Sequence, residues 1–252
     1  MPIIIKSDDE IAIMRQSGRI VAQTMQKLLA ELRPGLVVKE LDAIVRKEFV
    51  KHDVIPTFLG YAQPPYPATV CVSVNDEIVH GIPSHKRVLA AGDLVKLDVT
   101  AELAGYMADA AITVPVGTVS ARAQSLIDCA EMAFHRAMRE LRPGKRAFEV
   151  GRVIEDLVRK QGFSVVPVLQ GHGIGRTIHE EPMMPNWPDP AARGWLTDGL
   201  VITVEPIIAM GSGESYEADD GWTIKTADGS LAAHFEHTLV VRNGQPLLLT
   251  AA

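Results

Sequence analysis

Four carboxylates stand where they could act together. Asp98 closes the apolar run Leu94 to Leu97 six residues after Gly92, and Glu205 closes Val201 to Val204 six residues after Gly199. Asp109 opens Ala110 to Val116 before Gly117, as Glu236 opens His237 to Asn243 before Gly244. Alone, each acid reads as a paired structural carboxylate, because buried acids persist only when compensated. At matched places in two repeated segments they read differently, since a pseudo-twofold axis would carry all four to one centre. Four carboxylates cannot stay ionised together in a low-dielectric cleft without cations. No cluster of Lys or Arg lies nearby in sequence, although Lys96 shares a strand face with Asp98. Two divalent ions would supply four positive charges, the balance of a two-metal hydrolytic centre with ions roughly 3.5–4 Å apart.

A mostly oxygen donor set disfavours a closed structural zinc site. One added imidazole gives a mixed set suited to manganese, iron or cobalt, with zinc also admitted. Of the eight histidines, His52 near a helix end and His85 in a polar loop read as solvated, and His135 as a helix packing or surface residue. His172 differs, because glycines flank it in Gly171-His172-Gly173 and let the backbone approach a centre closely. His179 follows seven residues on, and His80 in Val79-His80-Gly81 holds the matching place earlier in the chain.

Helices and strands must position these groups. Ser7-Asp8-Asp9-Glu10 reads as a capping box, after which Ile11, Met14, Gly18, Val21, Met25, Leu28 and Leu32 share one helical face until Pro34-Gly35. A second helix is expected from about Val38 to Lys51, with Leu41, Ile44, Val45 and Phe49 inward. Strands are expected over Thr69 to Val74, Leu94 to Thr100 and Tyr106 to Val116. The plan then recurs. Leu32-Arg33-Pro34-Gly35 returns as Leu141-Arg142-Pro143-Gly144, followed by a helix over Phe148 to Gln161, and His80-Gly81-Ile82 returns as His172-Gly173-Ile174. Echoes in the same order predict one domain, 1–252, made of two halves of about 1–118 and 119–252.

The composition, 47% hydrophobic and 22% charged, excludes a disordered, collagen-like or disulfide-scaffold chain. Net charge −6 shows no electrostatic footprint for nucleic acid, and Cys71 and Cys129 fit a reducing compartment. No apolar run reaches the ~20 residues of a membrane span. Met1 to Lys6 lacks the basic and apolar regions of a secretion signal, so a cytoplasmic location is expected.

Cys71-Val72-Ser73-Val74-Asn75, Val79-His80-Gly81-Ile82-Pro83, Gly92-Asp93 and Leu97-Asp98-Val99 resemble the methionine aminopeptidases. So do Gly171-His172-Gly173-Ile174-Gly175-Arg176, His179-Glu180-Glu181-Pro182, Thr203-Val204-Glu205-Pro206, Asp220-Gly221-Trp222-Thr223 and Phe235-Glu236-His237-Thr238. The resemblance spans essentially the whole chain. It implies an α+β pita-bread fold of the creatinase/aminopeptidase type, with a curved antiparallel sheet between pseudo-twofold halves. It also implies that Asp98, Asp109, His172, Glu205 and Glu236 hold two divalent ions (Co, Mn, Fe or Zn). Glu205 would shuttle a proton, while His80 and His179 would face the substrate as acid–base or oxyanion-stabilising groups. Tyr61, Tyr66, Cys71 and Trp222 are candidate walls of a methionine pocket.

The length matches the short bacterial type I form, without an N-terminal extension. Its expected substrates are nascent polypeptide N-termini with a small second residue; the expected state is a monomer, with ribosome association left open. Three features depart from the family. Ile178 stands where an aromatic is common, and His234 stands where glutamine is common, on the strand face of Glu236. The loop Ala62 to Pro65 is lengthened. Two other readings are a proline-directed peptidase on the same fold and a binding protein that has lost catalysis. The latter should have lost ligands, yet all five are present.

Overall fold

The computed structural model describes residues 2–251, so Met1 and Ala252 lie outside the described residues. The chain opens with α1 (Asp8–Glu31) and α2 (Lys39–His52). Then come β1 (Ile55–Pro56), β2 (Cys71–Val74), β3 (Glu77–Val79) and the long β4 (Leu94–Leu103) and β5 (Tyr106–Pro115). A second helix pair follows, α3 (Ala121–Met138) and α4 (Ala147–Lys160), with β6 (Ser164–Val165), β7 (Gly171–Gly173) and β8 (Glu180–Met184) after it. The remaining strands are β9 (Val201–Val204), β10 (Ile207–Ala209), β11 (Ser215–Glu217), β12 (Ile224–Thr226), β13 (Ala232–His234), β14 (Glu236–Val240) and β15 (Leu247–Leu248).

Local chemistry explains the boundaries. The capping box is present: Glu10 N donates to Ser7 Oγ, and Ser7 N donates to a Glu10 carboxylate oxygen. Helix α1 stops at Glu31, with Leu32 extended, because Pro34 disfavours helical backbone just before it. Strand β4 runs three residues past the expected Thr100. Leu103 pairs with Tyr106 across Ala104 and Gly105, whose φ values of 49° and 79° make a tight two-residue turn.

The strands of the main antiparallel sheet run β1-β4-β5-β14-β9-β7-β8, with β2 beside β4 and β15 beside β14. Two short sheets, β13-β10-β6 and β11-β12-β3, flank it. Val21, Leu28, Leu41, Val45 and Phe49 bury the faces of α1 and α2 against the β4–β5 side. Phe134, Val150, Ile154 and Val158 do the same for α3 and α4 on the β9–β14 side. Each such side chain contributes about 1.5–3 kcal/mol through burial.

Strands β5 and β14 meet at the centre of the sheet through only two facing pairs, Ala111 with Glu236 and Ala110 with His237. Threonine hydroxyls continue the stitching on both sides. Thr238 Oγ1 accepts from Asp109 N at 2.9 Å and donates to Asp109 O at 2.8 Å. Thr113 Oγ1 likewise accepts from His234 N at 2.7 Å and donates to His234 O at 2.8 Å. The backbones of Asp109 and His234 are thereby fixed from across the seam.

Candidate metal centre

Asp98 faces Ala111 across β4–β5, and Glu236 faces the same Ala111 from β14. Asp109 is two residues from Ala111, so all three carboxylates project from one face of the sheet. Glu205 joins them from the end of β9. All four are buried, and burial raises the pKa of each. Repulsion among the carboxylates raises Asp98, Glu205 and Glu236 further, well above the usual carboxylate range, while hydrogen bonds restrain Asp109 to about 6. The cluster strongly resists full ionisation without cations.

His172 is poised as a nitrogen donor. A Cβ on Gly171 or Gly173 would collide with the carbonyls of Thr203 or Glu181, so only glycine lets the histidine loop lie this close. His172 Nδ1 donates to Gly173 O at 2.9 Å, which leaves the Nε2 lone pair free 3.5 Å from Glu205 Oε1. Burial, and then His179, hold its pKa near 3, so the ring is neutral. His172 N donates to Thr203 Oγ1 at 3.0 Å, and that hydroxyl donates to Glu205 Oε1 at 2.9 Å. Thr203 therefore ties two donors together.

Ligand atoms of Asp109, His172 and Glu236 lie within 4.8 Å of one another, and so do those of Asp98, His234 and Glu236. Asp98 Oδ1, Asp109 Oδ1 and Glu236 Oε1 are buried without a hydrogen-bond partner among the described residues. Orphaned oxygens in a crowded acidic cluster, with imidazole beside them, fit divalent cations. Lys96 does not balance these acids: its Nζ donates to the carbonyls of Asn75 at 2.7 Å and Ala232 at 3.4 Å. Burial pulls its pKa down to about 7.

Above the acids lies a cavity of about 190 Å³. It is lined by every residue the sequence proposed for catalysis, metal binding or the pocket, and by Ile178 and His234. Tyr66 donates to Gly81 O at 2.8 Å and packs edge-on to Trp222 with centroids 5.1 Å apart. Cys71 is a buried wall, and burial pushes its thiol well above its ordinary range, so it packs as a neutral group. Ile178 joins Phe58, Tyr66 and Cys71 in one apolar cluster. His80 adopts φ 58°, a left-handed backbone unusual for a side chain larger than glycine, and sits edge-on to Trp222. His179 Nδ1 is 2.9 Å from Tyr61 Oη, and its ring lies 4.4 Å from that of His172.

His52, His85 and His135 line no part of this cavity. His52 and His135 lie near Glu48 and Glu131 on their own helices. The sequence reading missed Phe58, Val79, Val168, Leu169, Gln170 and Ile207 as lining residues, and Thr203 as a tether. Adjacency was the available signal for two groups of them: Phe58 lies three residues before Tyr61, and Val168 to Gln170 run into Gly171-His172.

The description of metallopeptidase family M24 matches residues 12–243. A methionine aminopeptidase of Aquifex aeolicus is 40% identical over 256 residues, covering 99% of both chains. The crystal structure of a Thermotoga maritima methionine aminopeptidase superposes with a TM-score of 0.96 at 35% identity, covering 100% of both chains. A Pyrococcus furiosus prolidase, 22% identical with a TM-score of 0.81, shares the fold and is covered over 66% of its length. The expected α+β pita-bread architecture is therefore the observed one. The chain belongs to metallopeptidase family M24, among the methionine aminopeptidases.

Proposed function

We propose that this chain removes the N-terminal methionine from peptides and nascent polypeptides whose second residue is small. The convergence of four buried carboxylates and a neutral His172 beneath an aromatic, thiol-walled cavity carries this reading. Asp98, Asp109, His172, Glu205 and Glu236 would hold two divalent ions drawn from Co, Mn, Fe or Zn. Bound there, such ions supply Lewis-acid polarisation and make an activated water available near neutral pH.

The side chains then divide the remaining work. Glu205, held through Thr203, carries a proton from the water to the leaving amine. Tyr61 donating to Nδ1 leaves the Nε2 proton of His179 free to stabilise the tetrahedral oxyanion. His80, kept neutral near pKa 4 by burial and then by His179, contacts the leaving nitrogen. Tyr61, Tyr66, Cys71 and Trp222 grip an unbranched thioether, where sulfur–aromatic contacts add about 0.3–1.5 kcal/mol. Ile178 completes that wall.

In this reading the chain acts as a monomeric single domain of two related halves, 1–118 and 119–252, in the cytoplasm. Among the described residues no helix is long and apolar enough to cross a membrane. Docking at the ribosome is a further part of the proposal, tested by co-sedimentation with ribosomes. The deciding assay is kcat/KM on peptides beginning Met-Ala-Ser, Met-Leu-Ser and Ala-Pro-Ala, with each of the four metals. Fast release from the first, slow from the second and little from the third is expected. Preference for Ala-Pro-Ala would favour the proline-directed reading, and no turnover with any metal would favour a binding protein.

A further inference from the structure

His234 is only 2% exposed, and neither of its ring nitrogens has a hydrogen-bond partner among the described residues. A buried imidazole that pairs with nothing is uncommon enough to require a reason. Its Nε2 lies 3.3 Å from Glu236 Oε2 and 3.8 Å from Glu205 Oε2. Neither approach is a hydrogen bond, so the nitrogen and the carboxylates stand side by side instead of aiming at one another. Donor atoms this close that do not bond one another are spaced to share a third partner. A separation near 3.3 Å is what two donors on one ion show when each lies about 2.1 Å from it.

The placement of His234 is also fixed. Thr113 grips its backbone N and O from β5, at 2.7 and 2.8 Å, so the backbone that carries the ring is anchored beside the acids. With Asp98 and Glu236 it forms a donor triad that mirrors the triad of Asp109, His172 and Glu236, and Glu236 is common to both. We propose that Nε2 of His234 is a direct ligand of the divalent ion held by Asp98 and Glu236, so that each ion of the pair has one imidazole. This assignment rests on reading the cluster as a dinuclear metal centre. An imidazole at each position tilts both sites from manganese toward iron, cobalt and zinc, the metals that nitrogen donors favour.

The test is calorimetric and spectroscopic, independent of turnover. Apo-protein labelled with 15N-imidazole histidine is loaded with Zn(II), and His234→Gln is compared with the wild type. Two metal-shifted imidazole signals are expected in the wild type, with only that of His172 surviving in the variant. In parallel Co(II) titrations, His234→Gln should weaken one of the two binding events by more than the roughly 10–100-fold that removal of an outer hydrogen-bond partner costs. The other event, kept at wild-type affinity, shows that the variant is folded. A single metal-shifted imidazole in the wild type, or two unaltered Co(II) events in the variant, would overturn the assignment. Failure of the wild type to take up Co(II) or Zn(II) would overturn the dinuclear reading itself.

Discussion

Asp98 and Asp109 sit inside strands that run unbroken for ten residues each, whereas Glu205 and Glu236 stand where their strands are interrupted. On the second side β9 gives way at Glu205-Pro206 to β10, and β13 is separated from β14 by Phe235. The pairing keeps its register across the gap, with Val204 facing His237 before it and Ile207 facing His234 after it. Proline has no N–H to donate, so the ladder must lapse there, and one bond, Phe235 N to Pro206 O at 3.3 Å, spans the break. The difference separates two tasks. The unbroken hairpin carries two carboxylates within its ladder, while the interrupted pair places Glu205 past the end of β9, held there through Thr203, and turns its outer strands into a separate sheet with β6. His172, Glu205 and His234 lie on the interrupted side or beside it.

Equivalence at the metal centre can be broken by one substitution on each side. Asp109→Ala and Glu236→Ala should each abolish tight binding of the metal pair and with it the activity, because each leaves the remaining charges unbalanced. Metal analysis and steady-state assays of both variants measure this. Two bound ions and near-normal turnover in both would sink the shared-centre account.

The chemistry should prove one-sided where the metal is not. His179→Ala is expected to lower kcat by roughly 10²–10³, the usual loss for one oxyanion donor, with metal content unchanged. A variant that loses metal instead would make His179 a ligand.

Packing should be even-handed. Leu41 on α2 and Ile154 on α4 are both almost fully buried, and truncating either to alanine should cost about 2–5 kcal/mol in urea unfolding. A clear disparity would mean that one helix pair carries the stability of the whole.

The smallest effect concerns how these helices are fastened. Asp42 on α2 accepts from Thr69 N at 2.8 Å and Thr69 Oγ1 at 2.7 Å, and Lys39 and Arg46 pair with it. On α4, Gly151 instead lies so close to the Pro185 and Trp187 carbonyls that no Cβ would fit. Burial alone would raise the Asp42 pKa, but the Lys39, Thr69 and Arg46 hydrogen bonds overcome it and hold it at about 2. Since the unfolded value is about 3.9, this stabilisation is fully present above that pH and is lost as pH falls toward 2. Asp42→Asn should therefore flatten the pH dependence of unfolding free energy over that interval. An unchanged slope would remove Asp42 from the account.

Much of this was legible in the sequence because the relevant signals are local or repeated. The Ser7–Glu10 cap, the helical stripes and the glycines around His172 each state a steric or hydrogen-bonding need within a few residues. The four acids were legible through their matched places. What escaped was written across the fold. The turn at Ala104-Gly105 lacks the usual Asn-Gly pair, and the hold of Thr113 on His234 joins residues 121 apart in sequence. Lys96 misled for the same reason: strand periodicity gives a face, but the carbonyls of Asn75 and Ala232 that hold its amine belong to distant segments.

The short seam between β5 and β14 also joins strands far apart along the chain. Its pairs join Ala110 and Ala111 to His237 and Glu236. Contacts so distant along the chain form only after large loops have closed, so the β4–β5 hairpin and the β9–β14 pair, which close shorter loops, are expected to form before the two dock. Neither strand pair alone gathers the donors of both triads, and a half-folded chain therefore lacks the complete centre. Divalent ions that recognise only the docked form would draw the folding equilibrium toward it by mass action. On the dinuclear reading, competence for the ion pair would thus double as a report that the chain has finished folding.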